Sequence, residues 1–529
     1  MLLFAASAVV AVVAFVILYQ AVCRVRHVRA TSRDRRFWAA VPTVGISYNG
    51  KLPWIRGAFR SVTQSYADSL LGYNTYSKSK NSVFAQPMMG IGAVISLPIS
   101  QLYILNKSES EVVTKKAMVE GLQPAYTMGD QGIFDYLIHF DMVRRFFRRS
   151  TVDLFIEPIG EELDLAFRHC WGTNTTAWTT INVWDSCSKI VSRVASRAIF
   201  GKALARNDEF TEHSRQFGRA LFGAAAFINA LPPLMRPVLG PVLGYSARKH
   251  EAACLRIITP VLENRLQRSN KDFCHGDKPN DPVQWLIDEC KKAGSRYVEP
   301  VSMARRLLQL HLMSNFGITY ALVGSILDIY SSDLRDEFLD GLRVEHKLVV
   351  AEHGGLSSSA SFEQLHRLDS AIRESMRISS FPIISFMRVV SPETAGLTLS
   401  DGTYIPPGAR IGVPSRAIHR DPDLYSRPLE YDAFRFSRPF EKEMSQENAE
   451  STRESVSTVT DSFLAFGYGK HACPGRWFAS QYLKQALSYV VSNYDVECVG
   501  KSWAKDGMFN MILPPTDVKI QVRRQPREC

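Results

Sequence analysis

Ten consecutive residues, Phe466-Gly467-Tyr468-Gly469-Lys470-His471-Ala472-Cys473-Pro474-Gly475, constrain this chain more than any other feature. They set one cysteine in a glycine-bounded loop, two residues after a histidine. A helical stretch follows from Arg476 to about Asn493. A thiolate placed there faces the positive end of that helix and the N–H groups of the loop. Both are expected to lower its pKa and make it a ready metal ligand. Gly467, Gly469 and Gly475 permit tight or left-handed backbone and the close approach of a large flat cofactor. Pro474 suits the first turn of the following helix. A lone cysteine in a tight turn is most often only a buried structural residue. Five defined residue types within ten positions point beyond that.

The same residues resemble the haem-binding loop of the cytochrome P-450 family, Phe-x-x-Gly-x-(His/Arg)-x-Cys-x-Gly, at every fixed position. The resemblance implies haem b (iron protoporphyrin IX) as cofactor. Cys473 is then the axial thiolate on the iron, whose electron donation favours O–O cleavage. Phe466 and Gly467 belong to the haem-binding loop, and His471 is expected at a haem propionate.

The chain has 529 residues, enough for two to four domains by length alone, yet no linker divides the region after residue 40 and no repeat is visible. Composition is that of an ordinary globular protein, 46% hydrophobic and 22% charged. Residues 2–22 are apolar except for Ser7, Tyr19 and Gln20, carry no charge, and are long enough to span a bilayer core as a helix. Six arginines between positions 24 and 36 follow, against one acid, Asp34. That order favours a retained anchor, residues 1–23, over a cleaved signal peptide, whose charge precedes the apolar run. Residues 24–41 are then a basic juxtamembrane linker and 42–529 the catalytic domain. The positive-inside rule places that domain in the cytosol, a single-pass arrangement suited to the endoplasmic reticulum membrane. The juxtamembrane segment carries +5 of the net +11, and the remainder gives no nucleic-acid signature. Nine scattered cysteines without a C-x-x-C pair fit a reducing compartment. The sequons at Asn106 and Asn174 are expected to stay unused there.

Val41 to Trp54, with Pro42 and Pro53, reads as an exposed loop. Val83-Phe84 and Ala93 to Leu97 read as strands, and 133–327 as mainly helical. Asn, Asp, Gly and Pro cluster in a loop at 268–282. Leu397-Thr398-Leu399 and Tyr404-Ile405 around Asp401-Gly402 read as a hairpin, followed by a strand from Arg410 to Val413. The Ser/Glu/Thr-rich stretch 441–460 reads as a disordered surface insertion. The fold class is α+β, mainly helical. The family resemblance implies one such domain, with haem between a central distal helix and the proximal cysteine loop and helix.

Leu365, Leu368, Ile372 and Met376 recur at helical spacing, which puts Glu374 and Arg377 on one face. Taken alone this is a surface ion pair of little worth. With Arg435 between aromatics downstream, it matches the family's Glu-Arg-Arg triad, which implies a structural role in locking the loop before the cysteine. Arg388 matches the family's second propionate contact, where a guanidinium suits a planar carboxylate; the plain alternative is a solvated arginine on an edge strand. The apolar residues before Arg388, including Ile383 and Ile384, are implied to line the substrate pocket. His139, Arg144 and Arg145 lie on a basic helix that in the family supplies a further propionate partner and part of a reductase-docking face; a solvated basic face is the alternative.

Residues 307–327 contain no Asp, Glu, Lys or Arg. Their length would allow a membrane span, but His311, Asn315 and Thr319 argue for a helix buried inside a domain. Asn315-Phe316-Gly317-Ile318-Thr319 resembles the family's oxygen-activation stretch, with Phe316 beside the substrate pocket. The threonine is kept, but Ile318 stands where the family has an acid. Leu342-Arg343-x-Glu345 supports this register. A distal hydroxyl can help deliver protons; here they are expected from Asn315, water or substrate. A helical Thr that merely bonds its own backbone carbonyl is the alternative.

The whole pattern resembles filamentous-fungal members of the ent-kaurene-oxidase-like kind, on motifs such as Ala417-Ile418-His419-Arg420-Asp421-Pro422 and Phe463-Leu464-Ala465-Phe466-Gly467. It implies a monooxygenase that oxidises an apolar small molecule, a terpenoid or related secondary metabolite. Electrons are expected from a separate NADPH-cytochrome P-450 reductase. An electron-independent isomerase or dehydratase, and a non-catalytic haem-binding membrane protein, are the alternative readings.

Overall fold

The computed structural model describes residues 32–269, 278–444, 454–499 and 507–526. The expected anchor and residues 24–31 of the expected linker lie outside the described residues. The remainder of that linker is not a linker: Ser32–Ala40 is a helix. Its Phe37 and Trp38 pack against the apolar cluster under the small sheet, and Tyr404 donates to Asp34 Oδ1 at 2.8 Å. The domain therefore begins about ten residues before position 42. The loop after it is less exposed than expected. Val41 and Val44 are buried, because Pro42 and Val44 bond the backbone of Ala85.

One helix organises the rest. Pro300–Tyr330 starts with proline at its first position, and the carboxylate of Glu299 accepts the N–H groups of Val301 and Ser302, a charge-favoured cap. It runs through the protein, packed by helices Val183–Phe200, Tyr245–Ser269, His366–Ile378 and Arg476–Asn493. Its composition would allow a membrane crossing, but it is mostly buried inside the fold, as its polar residues led us to expect.

A five-stranded sheet flanks the helical body, in the order Phe84–Met88, Gly92–Ser96, Arg410–Val413, Ser385–Val390, Val112–Val113. The pairing of Gly92–Ser96 with Arg410–Val413 is parallel and the others antiparallel. The register slips between Ser385 and Arg388, where Phe386 takes a left-handed φ of 57°. Such a bulge re-aims the side chains beyond it. The expected hairpin is present, with Leu397 opposite Ile405 and Gly402 at φ 83°. A three-stranded sheet joins Thr179–Asn182, Lys519–Arg524 and Tyr494–Cys498.

The expected disordered insertion 441–460 is ordered at both of its described ends. Helix Ser437–Met444 covers the first part. After residue 453 the chain is tied down: Val456 is buried, and Arg373 donates to the carbonyls of Ser455 and Thr458 at 2.7 Å each. Residues 445–453 lie outside the described residues.

Candidate active site

The cysteine loop closes on itself through the Cys473 N–H, which donates to the Phe466 carbonyl at 2.6 Å. Gly467 makes that turn possible. Its φ is 99°, and a Cβ there would sit 2.9 Å from the Ala472 Cα, a backbone clash that no side-chain motion relieves. Gly469 is needed for a neighbour: a Cβ would meet the Asn106 carboxamide at 2.1 Å. That carboxamide accepts the Lys470 N–H at 3.0 Å, so a sequon asparagine turns out to be a brace for the loop. Helix Arg476–Asn493 follows with the expected bounds.

Cys473 is exposed by accessible surface, yet dense protein surrounds it. Burial pushes its thiol up, against the Gly475 N–H and Arg476, which pull it down. The expected lowering is therefore outweighed in the loop itself. Coordination to a cation deprotonates a thiol outright, so burial does not oppose ligation.

Behind the loop stands an interlocked set of buried charges. Arg377 grips Glu374 with two bonds of 2.7 Å, and Arg435 reaches the same carboxylate at 2.9 Å. Glu374 and Arg377 are completely buried. Arg377 also donates to the carbonyls of His419 and Pro428, and the His419 ring accepts the Leu464 N–H at 2.8 Å. The chain of bonds thus runs from Glu374 to the segment that leads into the cysteine loop. Arg373 does the same for residues 454–463: it pairs with Glu454 at 2.8 Å and lies over the Phe463 ring at 3.7 Å. Our sequence reading missed Arg373. The only available signal was its place one residue before Glu374, which does not reveal a partner 81 residues away. Glu345 accepts the Arg367 and Leu368 N–H groups at the start of the Glu374 helix.

A cationic cluster sits beside the loop. Arg388 is 9% exposed, donates only to the Met387 carbonyl among the described residues, and leaves Nε without a partner. His471 is pushed down first by burial and then by the charges of Arg388, Lys470 and, further off, Arg144. A buried guanidinium with an unused N–H, next to a second cationic group, fits a carboxylate-bearing cofactor. The accessible cysteine and the glycine loop fit the flat body of haem. Of the neighbouring candidates, the Arg144 side chain bonds only Asp141 among the described residues, at the surface, whereas Arg145 is committed to Glu289 at 2.7 Å. His139 is placed differently from our expectation. It is fully buried, its Nδ1 lies 3.2 Å from Arg306, and burial with that charge holds its pKa down to about 3. Its Nε2 is left without a protein partner among the described residues.

On the far side lies a cavity of about 950 Å³. Asn315, Phe316 and Thr319 of the central helix line it, with Phe381, Met387 and Arg388 opposite. The Thr319 hydroxyl donates to Asn315 Oδ1 at 3.3 Å rather than to a backbone carbonyl. Ile318 belongs to the main apolar core, so the position where an acid was expected offers an acid no polar surroundings. Ile383 and Ile384 do not line the cavity. They pack with Met88, Val94 and Ile512, because Asn510 clamps their backbone from both sides. The residues flanking them, Phe381, Pro382 and, beyond the bulge, Met387, form the wall instead.

Known proteins are similar to this chain over most of its length. The sequence model of the family described as cytochrome P450 matches residues 335–522. Among similar curated proteins, cytochrome P450 monooxygenase gloP of Glarea lozoyensis is 37% identical over 505 residues, covering 93% of this chain and 92% of that protein. Cytochrome P450 monooxygenase htyF of Aspergillus rugulosus is 36% identical over 477 residues, 87% of this chain and 69% of that protein. Cytochrome P450 monooxygenase okaG of Penicillium ochrochloron is 29% identical over 476 residues.

Proposed function

The chain belongs to the cytochrome P450 family, and from that premise we propose a membrane-anchored monooxygenase that oxidises a largely apolar small molecule, a terpenoid or related secondary metabolite. That the enzyme is a haem-thiolate monooxygenase follows from its family. The substrate, the redox partner and the anchor are our reading.

Cys473 would hold the haem iron, and Arg388, His471 and Arg144 would take its carboxylates. When bound, the haem supplies the activation of O2 by which one oxygen atom enters substrate and the other leaves as water. The chain supplies the setting. The Glu374–Arg377–Arg435 interlock holds the approach to the cysteine loop. Phe316, Phe381 and Met387 present an apolar surface that orients substrate and excludes water. Thr319 Oγ is held by Asn315 so that its lone pairs remain free to hold a proton. An amide oxygen only accepts, so the pair positions a hydroxyl without being an acid.

The observation that carries the substrate reading is the cavity: its size suits a small molecule, and aromatic and methionine side chains dominate the wall beside Thr319. The membrane reading is supported by the apolar run 2–22 and by an exposed apolar face at Phe227, Leu234, Val238, Val242 and Tyr245, the last four more than 60% exposed. We place the protein in the endoplasmic reticulum membrane with its catalytic domain cytosolic. An NADPH-cytochrome P450 reductase would supply the electrons, docking near the exposed arginines 144, 148 and 149. Reconstitution with that reductase, NADPH and ¹⁸O2 tests the reading. Product carrying one ¹⁸O atom, with NADPH consumed in proportion, is expected. Product formed without NADPH would instead identify an isomerase or dehydratase.

A further inference from the structure

Among the described residues, five arginines line the large cavity, at positions 215, 219, 236, 388 and 410, against two acids, Glu120 and Asp185. A cleft with that excess of positive charge draws a ligand that carries negative charge. Four of the five are already engaged. Arg410 holds Glu120 through bonds of 2.8 Å to both carboxylate oxygens. Arg215 donates to Asp185 and Glu212 at 2.6 Å each and to Ser188 at 3.1 Å, and Lys189 takes the other Asp185 oxygen at 2.8 Å. Those two cations and two acids cancel. Arg236 braces the carbonyls of Gly90, Asn229 and Leu231. Arg388 stands with His471 in the cationic cluster that suits the haem carboxylates.

Arg219 is the exception. Among the described residues its guanidinium has no hydrogen-bond or ion-pair partner. It lines the cavity and is also exposed, so it stands where the cavity opens to solvent. A surface arginine is ordinarily just solvated, but the helix that carries this one, Asp208–Ala230, gives it more to do. Arg215, Arg219, Phe222 and Ala226 all line the cavity, at i, i+4, i+7 and i+11, one face of that helix. Gly218 seats the helix closely: a Cβ there would stand 2.8 Å from Leu312 Cδ1 of the central helix. One turn on from Arg219, the Phe222 ring centre lies 4.9 Å from that of Phe316, and Phe316 meets Phe381 edge-on at 5.7 Å. The face therefore passes from charged to aromatic over about 5 Å of helix. Its aromatic end joins the apolar wall beside Thr319.

We infer that the substrate carries a carboxylate, that Arg219 binds it at the mouth of the cavity, and that the apolar body of the molecule lies along Phe222 and Phe316 towards Thr319. The inference rests on the monooxygenase reading only in calling this ligand a substrate. A guanidinium offers two parallel N–H groups that match a carboxylate, and one free guanidinium suits one singly charged group. Held in this way, the substrate presents to the Thr319 side carbons remote from its acid end. Arg219 is then a specificity residue that touches substrate and takes no part in the chemistry.

Calorimetric titration of the haem-loaded protein with matched pairs tests this: dodecanoic acid against methyl dodecanoate, and abietic acid against methyl abietate. The reading is the acid-to-ester affinity ratio, compared between wild type and variants so that partition into detergent cancels. At low salt at least one acid should bind about tenfold more tightly than its ester, about 1.4 kcal/mol, the low end for a hydrogen bond to a charged group. The ratio should shrink with added salt. Arg219→Gln should bring it to about one, and Arg219→Lys should keep part of it. Arg219 bonds no described protein group, so both variants should fold, with the thiolate CO spectrum and melting temperature of the wild type. A panel in which no acid outbinds its ester, absence of all binding included, would overturn the inference. So would an acid preference that survives Arg219→Gln, or dodecyl phosphate binding more tightly than dodecanoic acid. The titration needs neither reductase nor O2. Failure of the wild type to consume NADPH would therefore sink the monooxygenase reading and leave the carboxylate site standing.

Discussion

In the interlock behind the Cys473 loop, Glu374, Arg377 and Arg435 all have direct protein partners, several of them from distant parts of the chain. Along the central helix the reverse holds: two voids meet it, and Gln309, His311, Tyr320 and Tyr330 each leave a buried polar atom without a partner among the described residues. Glu374 alone accepts bonds from two arginines and from the Asp432 N–H. Thr319 has one bond of 3.3 Å to a neighbour on its own helix. The difference follows from what each side must do. A metal ligand has to be held in one place, and a dense set of charge-assisted bonds does that. A side that admits substrate and moves protons needs space, and water has to supply the bonds that protein cannot.

The sharpest way to break this comparison is at the metal ligand. Cys473→Ala should abolish the thiolate-type CO spectrum completely, since among the described residues no other cysteine lies in a comparable loop; a retained spectrum would overturn the assignment. Next comes the interlock. Arg377→Ala leaves the Glu374 carboxylate buried with half its bonds gone, and should cost about 3–5 kcal/mol. Thermal or denaturant unfolding would show it, together with a smaller fraction of thiolate-ligated protein. A loss below about 1 kcal/mol would mean that the proximal side is not held as tightly as its bonds suggest.

On the distal side the same kind of change should leave the fold alone. Thr319→Ala should lower product per NADPH by on the order of 10²-fold and raise peroxide, with the CO spectrum and stability unchanged. Unchanged product per NADPH would make Thr319 a helix residue only. A smaller effect sharpens the proximal picture: Asn106→Ala removes the acceptor for the Lys470 N–H and should cost about 1 kcal/mol, seen as a modest drop in melting temperature. The least change is expected from glycosidase treatment. Neither Asn106 nor Asn174 should carry a glycan, so no mobility shift should appear; a shift at Asn106 would contradict both the cytosolic orientation and its place against Gly469.

The proximal side was legible in the sequence because its motifs are local. Phe466 to Gly475 encodes a turn, a ligand and a helix start within ten residues, and Glu374-x-x-Arg377 needs only the helical repeat to bring its charges together. The distal side was legible as a helix but not as a site. Periodicity placed Asn315, Phe316 and Thr319 on a buried helix, yet it could not say which apolar residues of 381–387 would face the cavity. A one-residue bulge and the Asn510 clamp decided that, and they turned Ile383 and Ile384 away from it.

By itself, the sequence determined the elements whose cause lies within a few residues: the cysteine loop, the hairpin at Asp401-Gly402, the Glu374 helix and the charge-free central helix. Only the tertiary structure decided the partnerships that span the chain. It put Arg373 on Glu454, Asn106 on Lys470, and His139 on Arg306 rather than in the cationic cluster. It also packed Ser32–Ala40 onto the small sheet and brought Tyr320, Ser380 and His419 around one chamber. The reason is physical. Backbone turns and helix faces follow from dihedral limits and repeat lengths, which act between neighbours. The burial of a charge or the opening of a void depends on which distant surfaces meet, and single residue types leave that choice open until the core closes around them.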